Sequence, residues 1–354
     1  MPLKPKNLLK YGLYYSGIAR TFMEGKKHQT VWILRYHSIS DYRDQNFRYL
    51  TPSIAVSSTV FEAQISFLSS RYAIISLDDV GAWINGAISL QRQSVVITFD
   101  DGYRDNYRYA YPILRKYGAT ATFYVVTDAI GNAHPLWTSE LIDIVYRARQ
   151  SHVTLYSIAS TPIDLSNHKA KKQFTQTIAR IMRCSDKKLR EEIFREMREK
   201  LTGEKDGFLY DVMMNWDELR TMKRGGMCIG SHTMSHPLLP EISREEAAIE
   251  IAGSKTKIEE ELDAPASHFA YPNPGESVHV NEAVKTLVRQ AGYLTARTSS
   301  KGSVDQDSDL FELNGISTDN RCNHPALLAW ILNGGVERLR RSLTKFKEVS
   351  QPSA

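Results

Sequence analysis

The stretch TFDDGYRDNY, Thr98 to Tyr107, decides how this chain is read. It follows Val95-Val96-Ile97, so a β-branched and aromatic run ends in two adjacent acids and then a glycine. Such a run reads as a buried strand. An ionised carboxylate in an apolar interior costs several kcal/mol unless it is paired or bound to a metal. A strand that delivers Asp100 and Asp101 together and turns at Gly102 therefore points to a site at its carboxyl end.

Working outward, strand-like runs recur at Val31–His37, Tyr72–Leu77, Ser94–Asp100, Thr120–Val126, Cys228–His232, His268–Tyr271, Tyr293–Thr298 and Glu312–Ser317. Helical patterns separate most of them. Asn106–Tyr117 ends at Gly118, where a C-cap belongs. Asn215 with Glu218, and Ser243 with Glu246, have the spacing of capping boxes. Asp105 reads as the cap of the helix starting near Asn106. Strands alternating with helices predict an α/β chain with a parallel sheet, open or closed into a barrel. The alternation breaks once, between Trp137 and Asp211. There a short helix (Ser139–Ala148), a hairpin (Val153–Leu165) and charged helices (Lys169–Leu201) read as a helical insert that flanks the cleft and shapes polymer access.

The second signal is Ser231-His232-Thr233-Met234-Ser235-His236-Pro237, directly after a strand. Two histidines four apart would share one face of a helical turn, a spacing a metal ion can bridge. The plainer alternative is a pair of surface or capping histidines. In α/β barrels and open sheets, catalytic groups gather at the carboxyl ends of strands, which puts both motifs on one rim. Two imidazoles and one carboxylate make a facial set for Zn²⁺ or another divalent ion (Ni, Co, Mn or Fe). Only one aspartate need bind; the other is free to act as a base.

These motifs resemble a known family. TFDDG, SHTMSHP and Phe269-Ala270-Tyr271-Pro272, with the approach WDELRTMKRGGMCIG, are similar to the motifs of polysaccharide deacetylases (carbohydrate esterase family 4, the NodB-homology fold). The resemblance implies a distorted (β/α)7 barrel over about residues 31–320, with the insert at about 138–211. Segments 1–30 and 321–354 lie outside it, the latter read as a helix and tail. It further implies a hydrolase removing N- or O-acetyl groups from a polysaccharide, with Asp100 as base and Asp101, His232 and His236 as metal ligands. Tyr271 and Pro272 would sit at the oxyanion and substrate position, the Tyr271 backbone N–H being the donor.

Two departures stand out. The third motif lacks the arginine that orients the base. The late Leu-x-His, source of the general acid, corresponds to Leu313-Asn314-Gly315. In circularly permuted exopolysaccharide deacetylases the acid comes from a strand before TFDDG, and Val31–Tyr36 ending at His37 resembles that arrangement. His37 is thus the expected acid, with His324 as substitute. Competing readings are a deacylase or C–N hydrolase on a small substrate and a degenerate carbohydrate-binding module; intact Asp100, Asp101, His232 and His236 argue against the last.

Composition sets the remaining bounds. The 354 residues carry a net charge of +5 and 42% apolar residues. Basic clusters at Lys171-Lys172, Lys187-Lys188-Arg190 and Arg338-Arg340-Arg341 lack aromatic interleaving, so nucleic acid is not an expected partner. Cys184, Cys228 and Cys322 form neither a disulfide framework nor a metal pair. No run approaches the ~20 apolar residues of a membrane span. The basic N-terminus lacks a signal-peptide core, and an amphipathic helix there would lie on the domain or on a membrane surface. The expected location is cytoplasmic or membrane-associated.

Overall fold

Val31–Tyr36 (β1) and Ser94–Phe99 (β3) pair in parallel along their whole length, from Val31 opposite Ser94 to Tyr36 opposite Phe99. Apart from Arg35, every residue of the two is buried, as expected of strands covered on both faces. The computed structural model describes residues 30–40, 54–131, 135–185, 187–203, 211–272, 278–318 and 324–332. The expected N-terminal segment and most of the C-terminal tail fall outside these.

From this pair the sheet continues through Thr122–Val125 (β4), Cys228–Ser231 (β7), His268–Ala270 (β8) and Thr295–Arg297 (β9), all parallel. The short Ala73–Ile74 (β2) adds beside the start of β3. On the other flank Ile316–Ser317 (β10) pairs with β1. Three residues earlier, Leu313 is hydrogen-bonded to β9: its N–H donates to Ala296 O, and its carbonyl accepts from Thr298 N. The segment Leu313–Ser317 therefore spans from the last strand to the first and curls the sheet into the expected distorted barrel.

The helices follow their sequence signals. Ser58–Arg71 (α1), Leu77–Ile84 (α2) and Tyr111–Lys116 (α3) connect the first strands, and Gly118 takes a positive φ just past α3. Trp216–Arg224 (α7) and Arg244–Leu262 (α8) open with the predicted capping boxes at Asn215 and Ser243. Glu282–Gln290 (α9) and Pro325–Leu332 (α10) complete the set. Among the described residues, no helix is long and apolar enough to cross a membrane.

The insert is mainly helical, as expected: Trp137–Arg147 (α4), His168–Arg183 (α5) and Lys187–Met197 (α6). Its hairpin is smaller than expected, two residues of β5 (His152–Val153) against two of β6 (Ile163–Asp164). The insert has its own apolar core, including Ile144, Phe174, Ile178 and Met197, which runs on to Tyr103 and Val126 of the barrel rim.

Candidate active site

The ladder between β1 and β3 persists one residue past the strand, since the Asp100 N–H donates to Tyr36 O at 3.0 Å. The chain then reverses: Asp101 has φ 79° and Gly102 φ 89°. A Cβ at Gly102 would lie 2.9 Å from Ile130 Cδ1, so the predicted need for glycine has a steric reason as well as a conformational one. The left-handed aspartate is strained, a feature that clusters at functional sites.

This turn aims the two carboxylates apart. Asp101 Oδ1 lies 3.6 Å from His232 Nε2 and 3.5 Å from His236 Nε2. All three residues are buried, and one ligand atom from each lies within 4.8 Å of the others. The contacts exceed hydrogen-bond length. Atoms each ~2.1 Å from a tetrahedral zinc would sit roughly 3.4 Å apart, so the spacing fits an ion of this class. Protonation separates the two ligand types: the imidazoles are in their binding form, whereas the charged form of the aspartate is disfavoured without a positive charge beside it. Burial, and then the charge of Asp100, push the Asp101 carboxyl up to about 8. Burial takes His232 down to about 4 and His236 well below the imidazole range, leaving both rings neutral with lone pairs available. His232 donates from Nδ1 to Ala270 O at 2.7 Å, which fixes Nε2 as the free acceptor.

The histidine pair departs from expectation in conformation. His232 and His236 are not on a helical turn. They lie on an irregular loop in which Thr233 (φ 68°) and His236 (φ 60°) take left-handed backbone. The rings meet edge-on with centroids 4.9 Å apart, brought together by the loop rather than by helical period.

Asp100 faces different partners. Its Oδ1 accepts a hydrogen bond from Arg297 Nη2 in an ion pair buried on both sides. Its Oδ2 lies 3.9 Å from His37 Nε2. Burial alone would raise the Asp100 carboxyl, but the Arg297 guanidinium foremost holds it below the usual carboxylate range. Arg297 stacks over the Tyr124 ring at 5.3 Å and donates to Thr298 O at 3.0 Å. Gly315 makes room for it, since a Cβ there would come within 3.2 Å of Nη1. The third motif supplies no arginine, but β9 does: Arg297 is the arginine paired with Asp100. Its signal was a lone charge in the otherwise uncharged run Tyr293–Thr298.

The remaining expectations fare unevenly. His37 does reach Asp100, and burial takes its imidazole down to about 3, so it rests neutral. Asp105 gives no cap bond. Instead it accepts from Ile39 N at 3.0 Å and from the Ser38 hydroxyl, fixing the turn that follows His37. The Tyr271 N–H is already committed to Arg297 O at 3.1 Å, and its hydroxyl to Phe311 O at 2.9 Å. Neither is available as an oxyanion donor, and Pro272 beside it has no N–H. His324 caps α10, its Nδ1 accepting from Ala326 N at 3.0 Å. The insert does flank the rim: Trp137, Arg195 and Lys188 border a cleft of about 850 Å³ that reaches Ser235 in the histidine loop.

Comparison with known proteins follows from this geometry. A Staphylococcus aureus (strain MSSA476) poly-β-1,6-N-acetyl-D-glucosamine N-deacetylase is 32% identical over 119 residues, 31% of this chain and 41% of that protein. The Bacillus subtilis (strain 168) protein YxkH, whose name assigns it provisionally to the polysaccharide deacetylases, is 34% identical over 110 residues, 31% of this chain and 36% of that one. The chain thus matches well under half the length of these relatives. Among solved structures, the Streptococcus pyogenes deacetylase PplD covers 86% of this chain and 99% of its own at 20% identity, TM-score 0.57. IcaB from Ammonifex degensii covers 86% and 97% at 16% identity, TM-score 0.55. Both likenesses concern the fold. The polysaccharide deacetylase family model matches residues 87–296, more than half the chain and the stretch that carries Asp100, Asp101, His232 and His236, so this chain belongs to the polysaccharide deacetylase family.

Proposed function

We propose that this chain is a metal-dependent hydrolase that removes N-acetyl groups from an amino-sugar polymer. The observation that carries the reading is one arrangement: a buried Asp101–His232–His236 set beside a second carboxylate, Asp100, kept charged by Arg297. The relative named for poly-β-1,6-N-acetyl-D-glucosamine supports the substrate class. The donor set, one carboxylate and two neutral imidazoles, suits zinc first among divalent ions.

When bound, such an ion would supply Lewis acidity toward water and the acetyl carbonyl. The protein's own groups divide the proton work. Asp100 Oδ1 is tied to Arg297, so Oδ2 is the oxygen that accepts a proton from the attacking water. An amide breaks only if its nitrogen is protonated as it leaves. His37 rests neutral, so the proton it delivers is the one Asp100 has taken from water: His37 Nε2, 3.9 Å from Asp100 Oδ2, is the group placed to take up that proton and pass it to the departing nitrogen.

The test is metal analysis of the purified protein, followed by acetate release from acetylated β-1,6-linked glucosamine oligomers. His232→Ala and Asp101→Ala should lose metal and activity together. Asp100→Asn should keep metal while turnover falls roughly 10²-fold or more. Unchanged metal in both ligand variants, or parental turnover in Asp100→Asn, would overturn the assignment.

A further inference from the structure

The loop carrying His236 is held from two sides. On the barrel side, the Thr127 and Asp128 amides donate to Thr233 O at 3.2 Å and Met234 O at 2.9 Å. Glu250 of α8 accepts from the Met234 and Ser235 amides, both at 2.8 Å, and from the Ser235 hydroxyl at 2.5 Å. The next two carbonyls, on either side of the His236 Cα, go to the insert. Arg190 of α6 donates from Nη1 to Ser235 O at 3.1 Å and from Nη2 to Ser235 Oγ at 2.9 Å. Trp137, first residue of α4, donates from Nε1 to His236 O at 3.2 Å.

These contacts are placed where the backbone needs support. Thr233 and His236 both sit in the left-handed region, a conformation that non-glycine residues keep only when their surroundings over-determine it. Arg190 and Trp137 are 6% and 8% exposed, so their hydrogen bonds compete little with water. A planar guanidinium also grips a carbonyl and a hydroxyl at once, which fixes direction as well as distance. The chain Arg190 to Ser235 to Glu250 links the insert to α8 across the loop.

We propose that the insert is a positioning element of the metal centre: Arg190 and Trp137 fix the backbone at Ser235–His236 and so aim the His236 ring at Asp101 and His232. The inference rests on reading those three residues as metal ligands. A group that orients a ligand from behind typically changes metal affinity 10–100-fold when removed. The insert is then part of the scaffold of the metal centre, whatever occupies the cleft it borders.

The experiment compares wild type with Arg190→Met, Arg190→Lys and Trp137→Phe, using Arg195→Met on the same helix as control. Zinc dissociation constants come from chelator competition. Amide exchange over residues 232–238 is read on metal-free protein. Arg190→Met should weaken zinc about 10-fold or more and speed exchange at Met234 and Ser235. Arg190→Lys should recover only part of this, since an ammonium cannot hold two fixed directions. Trp137→Phe deletes one N–H while keeping an aromatic ring, so it tests the clamp even where Arg190→Met fails to fold. Arg195→Met, which removes none of the hydrogen bonds that hold the His236 loop, should match wild type in zinc affinity and in loop exchange. Zinc affinity and loop exchange unchanged in folded Arg190→Met and Trp137→Phe would overturn the proposal. Wild type that takes up no zinc would instead sink the metal reading and, with it, the positioning role of Arg190, while exchange would still report whether the insert holds the loop.

Discussion

Replacing Arg297 by methionine deletes the charge opposite Asp100 and keeps most of the side-chain volume. Arg297 is 1% exposed and Asp100 2%, so bulk solvent screens the pair little. Removing one member of a buried pair leaves an uncompensated charge and costs about 3–5 kcal/mol. The Met variant should therefore lose stability in that range by urea unfolding of metal-free protein. Asp100→Asn strands the arginine instead and should lose a comparable amount. The double variant Arg297→Met/Asp100→Asn strands neither charge, so its loss should fall short of the sum of the single losses by at least about 1.5 kcal/mol. Activity behaves differently. All three variants should fall by about 10²-fold or more, because the base is neutral, absent or unaimed. Additive stability losses in this cycle, or a folded Arg297→Met retaining wild-type turnover, would refute the claim that Arg297 sustains the charge on Asp100.

Two further outcomes follow from other groups. His37→Ala should retain metal and lose most amide hydrolysis, yet keep much of its activity on an activated aryl acetate, whose leaving group needs no proton; equal losses on both would remove His37 as the acid. His268, with Nε2 3.3 Å from Asp78 Oδ1, is lowered by burial but raised more by Asp78 and Cys228, to about 9. Its stabilisation is present in full below the unfolded value near ~6.5 and is lost as pH rises through about 9. Because Asp78 is largely exposed, the difference should be about 1–2 kcal/mol. Urea midpoints at about pH 6 and 10 should diverge for wild type more than for His268→Gln; parallel shifts would count against the pair.

Much of the barrel was legible because each core strand is an apolar run bounded by polar or turn residues, and the structure trims those runs by a residue or two at their ends. Two runs shrank most, each from six residues to two: Glu312–Ser317 to Ile316–Ser317, and Tyr72–Leu77 to Ala73–Ile74, the latter because Ser76 is taken as the N-cap of α2. At the site, Asp100, Asp101, His232 and His236 could be named from adjacency to strand ends. Their conformations could not. The histidine spacing suits a helix, and the loop instead reaches the same convergence through two left-handed residues. Arg297 went unassigned because its partner lies 197 residues away, a pairing that no local pattern encodes. Tyr271 failed as a donor for a related reason: whether a backbone N–H is free depends on register with β9, which sequence does not print. The insert was recognised by its interruption of the alternation, but its grip on Ser235 and His236 depends on which face of α6 packs inward.

The segment Leu313–Ser317 joins the last strand to the first, and Arg297 stands on the strand it secures. Asp100 therefore meets its counter-ion only when the ring has shut. Bringing such distant segments together costs chain entropy before any contact repays it, so the closing step belongs late in folding. During synthesis, a nascent chain displaying only TFDDG and SHTMSHP would hold a carboxylate without its arginine. If Asp100 is the base proposed above, turnover reports completed assembly, and a slow or faulty seam would appear first as lost turnover in molecules whose helices and most strands have already formed.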